Sequence, residues 1–372
     1  MTPSNEAGIV TAADHAYIDG LKMLVASLGL ANCRMPVLCF DLGLTPQDIA
    51  LAKEAAHAAS VSLSFQTMSP VSPQVNGAPL KPFEAASWGK PFRISAAGFK
   101  RVIYIDADIV VLSNPVELLA SGQAVFTPDT FAGLGVRNPK ALYRLRPVPP
   151  GCPEGRLTLN SGIFMIDVER DATLLKTWQG FVREALGQPA LRSIVTCHDQ
   201  GALIWSLLSL GQDRRVVSSD TWNRPANAKT CDPASAFART VYPRPEAGDY
   251  RPLIAAIRAD HPGAKAVHWM GAPKLWDLWK KQDEEAKRLA QAAKEAEATA
   301  EATKRNAEEA EVAKSAAKKK LAEAKKPPTS TPTQVPNKAE PPTEVPTPAT
   351  ATAPVKEPEK PPTDPGQATA PI

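Results

Sequence analysis

The sequence predicts an α/β protein with a mostly parallel central sheet, followed by a long helix and a low-complexity tail. Three observations carry this expectation. Strand-length apolar runs alternate with helical periodicity through the first 280 residues. Residues 101–112, Arg-Val-Ile-Tyr-Ile-Asp-Ala-Asp-Ile-Val-Val-Leu, form a nearly continuous β-branched run of the kind found in strands covered on both faces. After residue 280 the composition changes abruptly.

Residues 8–13 read as a first strand, and Leu21, Leu24, Val25 and Leu28 then recur at helical spacing. A second strand is expected over 35–40. Thr45-Pro46-Gln47-Asp48 caps a helix running through Ala58, and residues 61–65 supply a third strand. In such a sheet, ligands sit outside the C-terminal strand ends, where residues 11–17 and 106–108 both fall. No Gly-x-Gly-x-x-Gly or Walker-type loop follows any of these strands, which disfavours phosphate binding through a glycine-rich helix start.

Asp106 and Asp108 are the only charges inside the apolar run that begins after Arg101. An unpaired carboxylate there would be expensive. In an extended segment the two side chains would point the same way and could converge on one hard divalent ion. Asp also starts turns, and Ser113-Asn114-Pro115 downstream is itself a turn signal, so a strand-end turn is the competing reading; the apolar strand in front favours the metal.

Three later segments carry polar groups beside apolar runs. Leu159-Asn160-Ser161-Gly162 leads into a strand, presenting amide and hydroxyl groups or forming a plain turn. His198-Asp199-Gln200-Gly201 precedes an apolar helix; N-capping accounts for Asp199 but not for Gln200. Ala266-Val267-His268 ends a short strand, with Gly271, Lys274 and Trp276 following; a lone His or Lys is more often structural or solvated.

Composition bounds the function. The chain has 372 residues, 43% of them hydrophobic, and a net charge of +4 with no aromatic-and-basic stripe, which argues against nucleic acid as a partner. Five cysteines without a Cys-x-x-Cys pair fit reduced thiols in a cytoplasmic protein. No basic segment followed by an apolar stretch opens the chain, and no run reaches the roughly 18 apolar residues of a transmembrane span; peripheral association at the inner membrane stays open. Residues 1–280 are expected to form the globular domain, 281–326 an Ala/Lys/Glu-rich solvated helix, and 327–372 a Pro/Thr-rich disordered tail. The periodic apolar positions of that helix are mostly Ala, so a single helix or weak self-association is expected rather than a strong coiled coil.

Taken together, the motifs resemble glycosyltransferase family 8, the group of glycogenin and bacterial lipopolysaccharide galactosyl- and glucosyltransferases. The resemblance spans residues 8–276 and rests on Tyr104-Ile105-Asp106-Ala107-Asp108, Asn160-Ser161-Gly162, Asp199-Gln200-Gly201, and His268 with Gly271, Lys274 and Trp276, in the family's order. It implies a GT-A fold, a nucleotide-sugar donor, usually a UDP-sugar, a divalent cation, usually Mn²⁺, and retention of anomeric configuration. The implied metal ligands are Asp106, Asp108 and His268. The implied donor site comprises Thr11, Tyr17, Lys90, Asp106, Ala107, Asn160, Ser161, Gly271 and Lys274. Asp199, Gln200 and Lys274 are the expected catalytic residues, Lys274 supplying charge to the departing diphosphate. A glycan or lipid-linked molecule would be the acceptor; an inactive GT-A domain that binds a nucleotide sugar or a protein partner is the alternative. Two features depart from the family pattern: Lys274-Leu275-Trp276 replaces Lys-Pro-Trp, and Ser87-Trp88-Gly89-Lys90-Pro91-Phe92-Arg93 replaces the usual arginine segment, leaving Lys90 or Arg93 as donor contact. The Pro-rich segment 146–153 carries no assignable family role.

Overall fold

The computed structural model describes residues 6–67, 82–128, 159–195, 199–211, 215–216, 219–226, 242–246, 248–269 and 274–325. Gly271, the Pro-rich segment 146–153 and the tail after residue 325 lie outside these residues. The chain divides into two units, Met1–Lys294 and Glu295–Ile372.

In the first unit, β1 (Ala7–Ala13), α1 (Ile18–Leu30), β2 (Val37–Asp41), α2 (Pro46–Ala58) and β3 (Leu63–Thr67) alternate as expected. Thr45 N-caps α2: its hydroxyl oxygen accepts from the Asp48 N–H while the Asp48 carboxylate accepts from the Thr45 N–H, so two end donors are satisfied reciprocally. Next come α3 (Pro82–Trp88), α4 (Lys90–Ala96), β4 (Arg101–Ile105), β5 (Ile109–Val111), β6 (Val125–Pro128) and β7 (Leu159–Asp167). They are followed by α5 (Ala172–Gly187), α6 (Pro189–Ile194), α7 (Asp199–Leu210), β8 (Arg215–Val216), α8 (Ser219–Trp222), β9 (Arg224–Pro225), α9 (Arg251–Asp260), β10 (Ala266–His268) and α10 (Leu275–Ala324).

The main sheet has the order β3-β2-β1-β4-β7-β6-β8. It is parallel across β3-β2-β1-β4 and again at β6-β8, but β7 runs antiparallel to both of its neighbours. Side chains of β4 alternate between two cores. Val102 and Tyr104 pack with Phe164, Trp178 and Trp205 on one face. Ile103 and Ile105 pack with Leu21, Leu24 and Leu28 of α1 on the other. Burial on both faces explains why this strand carries no alternation of polar and apolar residues.

The run 101–112 is not one strand. It breaks at Asp106-Ala107-Asp108 into a turn, with the Ile109 N–H donating to the Asp106 carbonyl at 3.2 Å, and β5 enters a second sheet of order β5-β10-β9. That sheet forms the third core with α9 and the start of α10, around Trp269, Trp276 and Trp279. The aspartates therefore straddle a sheet-to-sheet crossing instead of lying along an extended strand. Apolar content is equally high on both sides of the crossing, so it leaves no mark in the pattern.

Helix α10 begins at Leu275, ahead of the expected start at residue 281, because Trp276 and Trp279 bury one face of its first turn. Further along, Leu289, Val312 and Leu321 are exposed. Among the described residues no helix is long and apolar enough to cross a membrane.

Helix α1 reaches the crossing through a glycine. A Cβ at Gly20 would lie 2.6 Å from the Ala107 carbonyl oxygen and 2.7 Å from the Trp276 ring. Gly20→Ala is expected to lower stability by about 1–3 kcal/mol through overpacking, measured by urea denaturation; an unchanged midpoint would show that the turn does not rest on α1.

Candidate active site

The site is assembled at the C-terminal end of β4. Because β7 is antiparallel to β4, its N-terminal residues lie beside that end: Ile105 pairs with Ile163, and the Asp106 N–H donates to the Gly162 carbonyl at 2.8 Å. Asn160 and Ser161 thereby start the strand beside that end, where the Ser161 carbonyl accepts from Lys90 and the Asn160 Oδ1 from the Gly162 N–H. The second sheet delivers the histidine, since β10 pairs antiparallel with β5 and sets His268 opposite Ile109. The Trp269 N–H donates to the Asp108 carbonyl at 3.0 Å and closes this corner.

Asp106, Asp108 and His268 each turn one ligand atom inward, and these atoms lie within 4.8 Å of one another. Asp106-Ala107-Asp108 does form a turn, and the same geometry leaves the three ligand atoms close enough together to hold a metal ion. His268 Nε2 lies 3.2 Å from Asp108 Oδ1, and Nδ1 lies 3.0 Å from Asn223 Oδ1. An amide oxygen accepts, so this contact gives Nδ1 a proton to donate and turns the Nε2 edge towards Asp108, where it would meet a cation. Two carboxylates and one imidazole suit a borderline divalent ion, and the described residues fit one. Gly162 makes room for the ring: a Cβ there would lie 2.5 Å from His268 Cε1.

Two lysines hold the carboxylates. Lys90 Nζ lies 2.9 Å from Asp106 Oδ2, 2.9 Å from Asp199 Oδ2 and 2.9 Å from the Ser161 carbonyl, with the Tyr104 ring 5.1 Å away. Lys274 Nζ donates to Asp108 Oδ2 and to the Trp269 carbonyl, and lies 5.6 Å from the centroid of the Tyr17 ring. Burial raises the Asp106 carboxyl above the usual carboxylate range, against the pull of Lys90. Burial opposes the ionisation of Asp108 as well, yet Lys274 and His268 hold its carboxyl below that range. For Lys90 burial disfavours the charge, but Asp106 and Asp199 outweigh it and hold the ammonium above the usual lysine range.

A cleft opens over this cluster, with Tyr17, Lys90, Asp106, Ala107 and Asp108 in its lining. Of the residues expected to bind a donor, Thr11 behaves differently. It is fully buried, and the cleft wall at the end of β1 is Ala12, Ala13 and Asp14. Arg93 is also sequestered: it is 1% exposed and bonds the Ala86 carbonyl and the Tyr104 side chain, so of these two residues it is Lys90 that lines the cleft. Asp199 is the first residue of α7 and its carboxylate is engaged by Lys90; Gln200 beside it is buried. Asn223 was not legible in advance, because it lies 45 residues from the histidine it orients and belongs to no spaced motif.

Among cysteines in the described residues, Cys33 and Cys39 are free and buried; burial pushes both thiols up, that of Cys39 to about 12.

No protein-family model and no curated protein sequence matches the chain. Similar solved structures include an active-site mutant of LgtC, at 16% identity and a TM-score of 0.48, covering 72% of this chain and 89% of that one. The galactosyltransferase LgtC in complex with donor and acceptor sugar analogs gives 18%, 0.47, 72% and 88% for the same measures. The bifunctional glycosyltransferase WbbM gives 16%, 0.47, 74% and 48%. Likenesses this distant leave function to be argued from the site itself.

If the cluster holds a divalent cation, Asn223→Ala is expected to weaken its binding by about 10-fold or more, the usual cost of losing a group that orients a metal-ligating histidine. Titration calorimetry reads it, and unchanged affinity would mean that Asn223 does not set the ring.

Proposed function

We propose that the protein is a metal-dependent retaining glycosyltransferase of the family 8 type, with a GT-A fold. It would move a hexosyl group from a nucleotide sugar, with UDP as the nucleotide, to a glycan or lipid-linked acceptor. The observation that carries this reading is the convergence of Asp106, Asp108 and His268 with Lys90 and Lys274 at one strand-end cleft.

Breaking the bond between a sugar and a nucleoside diphosphate leaves negative charge on the departing phosphate, and a divalent ion held by Asp106, Asp108 and His268 supplies a Lewis acid for that charge. This chain's own groups account for the rest of the site. Lys274 brings a point charge to the diphosphate. Tyr17, Ala107 and Asp14 line the cleft for the nucleoside. Lys90 holds Asp199 and Asp106 in fixed relation, which orients the carboxylate of Asp199 where the sugar would lie. Asn160 and Gln200 add amide groups for its hydroxyls.

Full-length protein incubated with a panel of UDP-sugars and Mn²⁺ is expected to release UDP with one or more donors, and product NMR to report retained configuration. Asp108→Ala is expected to abolish metal-dependent donor binding. Donor binding without hydrolysis or transfer would favour an inactive nucleotide-sugar-binding domain, and unchanged donor affinity in Asp108→Ala would remove that residue from the ligand set.

A further inference from the structure

The two lysines on the candidate metal ligands are not equivalent. Lys90 has a fixed frame, since beyond Asp106 it keeps Asp199, the Ser161 carbonyl and the Ser161 hydroxyl as partners. The Lys274 ammonium has Asp108 as its sole carboxylate partner among the described residues, and its other acceptor is the uncharged Trp269 carbonyl; the Asp277 carboxylate is met by the Lys274 backbone N–H, not by the ammonium. Asp108 is divided between two neighbours: Oδ1 faces His268, and Oδ2 is taken by Lys274. A divalent ion drawn in by Asp106, Asp108 and His268 would meet the ammonium of Lys274 on the carboxylate that it needs.

Charge balance sharpens the conflict. Three carboxylates (Asp106, Asp108, Asp199) face two ammoniums (Lys90, Lys274), leaving one net negative charge with His268 neutral. A divalent ion alone reverses the sign to one net positive charge in a largely buried cluster, which is unfavourable where water is excluded. A diphosphate contributing about two negative charges restores the original balance and also offers Lys274 a new anionic partner.

We propose that Lys274 is a tethered cation that competes with the divalent ion for Asp108 and leaves that carboxylate for the diphosphate when donor binds. Ion and nucleotide binding are then coupled through this one side chain, and the coupling is reciprocal. The inference rests on the reading of the cleft as a nucleotide-sugar site. It adds to that reading an order of events: the ion is held weakly by the free protein and tightly once the nucleotide has drawn Lys274 away.

The test is Mn²⁺ binding to the full-length chain, followed by electron paramagnetic resonance of the free ion, with and without UDP. Lys274→Gln is expected to bind Mn²⁺ about ten-fold more tightly than the natural protein when UDP is absent, since a charge-assisted hydrogen bond no longer has to be broken. The tightening caused by UDP should be smaller in the variant by a similar factor. Lys274→Arg, which keeps the competing charge, should bind Mn²⁺ without UDP as weakly as the natural protein, and Lys274→Met serves as a second neutral variant if Lys274→Gln does not fold. Equal Mn²⁺ affinity of natural and neutral-variant proteins without UDP would overturn the competition while leaving the nucleotide-sugar reading standing. Absence of Mn²⁺ binding to all of them, with and without UDP, would overturn both.

Discussion

The structure around the cleft depends on neutralising carboxylates that the fold carries out of water. Asp108 and Asp199 are almost fully buried, and the half-buried Asp106 is joined to Asp199 through Lys90. Removing one partner of such a buried pair costs about 3–5 kcal/mol, because the remaining charge is stranded. The positions of Lys90 and Lys274 are therefore constraints on the architecture as much as on chemistry. One lysine opens α4, the other immediately precedes α10, and Asp199 opens α7, so three helix starts are tied to one strand end.

That convergence is produced by two topological choices. Reversing β7 within an otherwise mostly parallel sheet brings its first residues to the C-terminal end of β4. The crossing at Asp106-Ala107-Asp108 then sends the chain into the second sheet, which returns His268 to the same corner through β10. Glycines permit the close approaches, Gly162 beneath the imidazole and Gly20 beneath the Ala107 carbonyl. Starting α10 at Leu275 has a parallel consequence: Trp276 and Trp279 anchor the helix in the third core, and Tyr17 meets Trp276 edge-on at 5.6 Å, which fixes the residue immediately before the helix beside the cleft.

Much of this was legible in residue types. Unbroken apolar content marked β4 as covered on both faces, and Thr45-Pro46-Gln47-Asp48 marked the start of α2 through a reciprocal cap that is local in sequence. Asp106, Asp108 and His268 were grouped through a family resemblance, and their ligand atoms do converge. What could not be read was anything that depends on direction. A β-branched run looks the same whether its strand runs parallel or antiparallel, and whether it continues or changes sheet, so the aspartates offered a strand-end turn but the passage of β5 into a second sheet and the reversal of β7 had no sequence mark. The seclusion of Thr11 and Arg93 is of the same kind, since burial is decided by what packs over a residue, not by its identity.

By itself, then, the sequence determined the α/β alternation, the long polar helix and the side chains available for cation and phosphate chemistry, because capping, periodicity and functional-group type act over a few residues. The tertiary structure alone decided that Lys90 and not Arg93 faces the cleft, that Asn223 meets the imidazole, and that Lys90 holds Asp106 and Asp199 while Lys274 holds Asp108. Those pairings join residues 16 to 166 positions apart, and only the strand directions and the crossing between sheets bring them within hydrogen-bonding distance. Asp106 and Asp108 were conspicuous because charge in an apolar run is costly, and the fold answers that cost with two ammonium groups from distant parts of the chain.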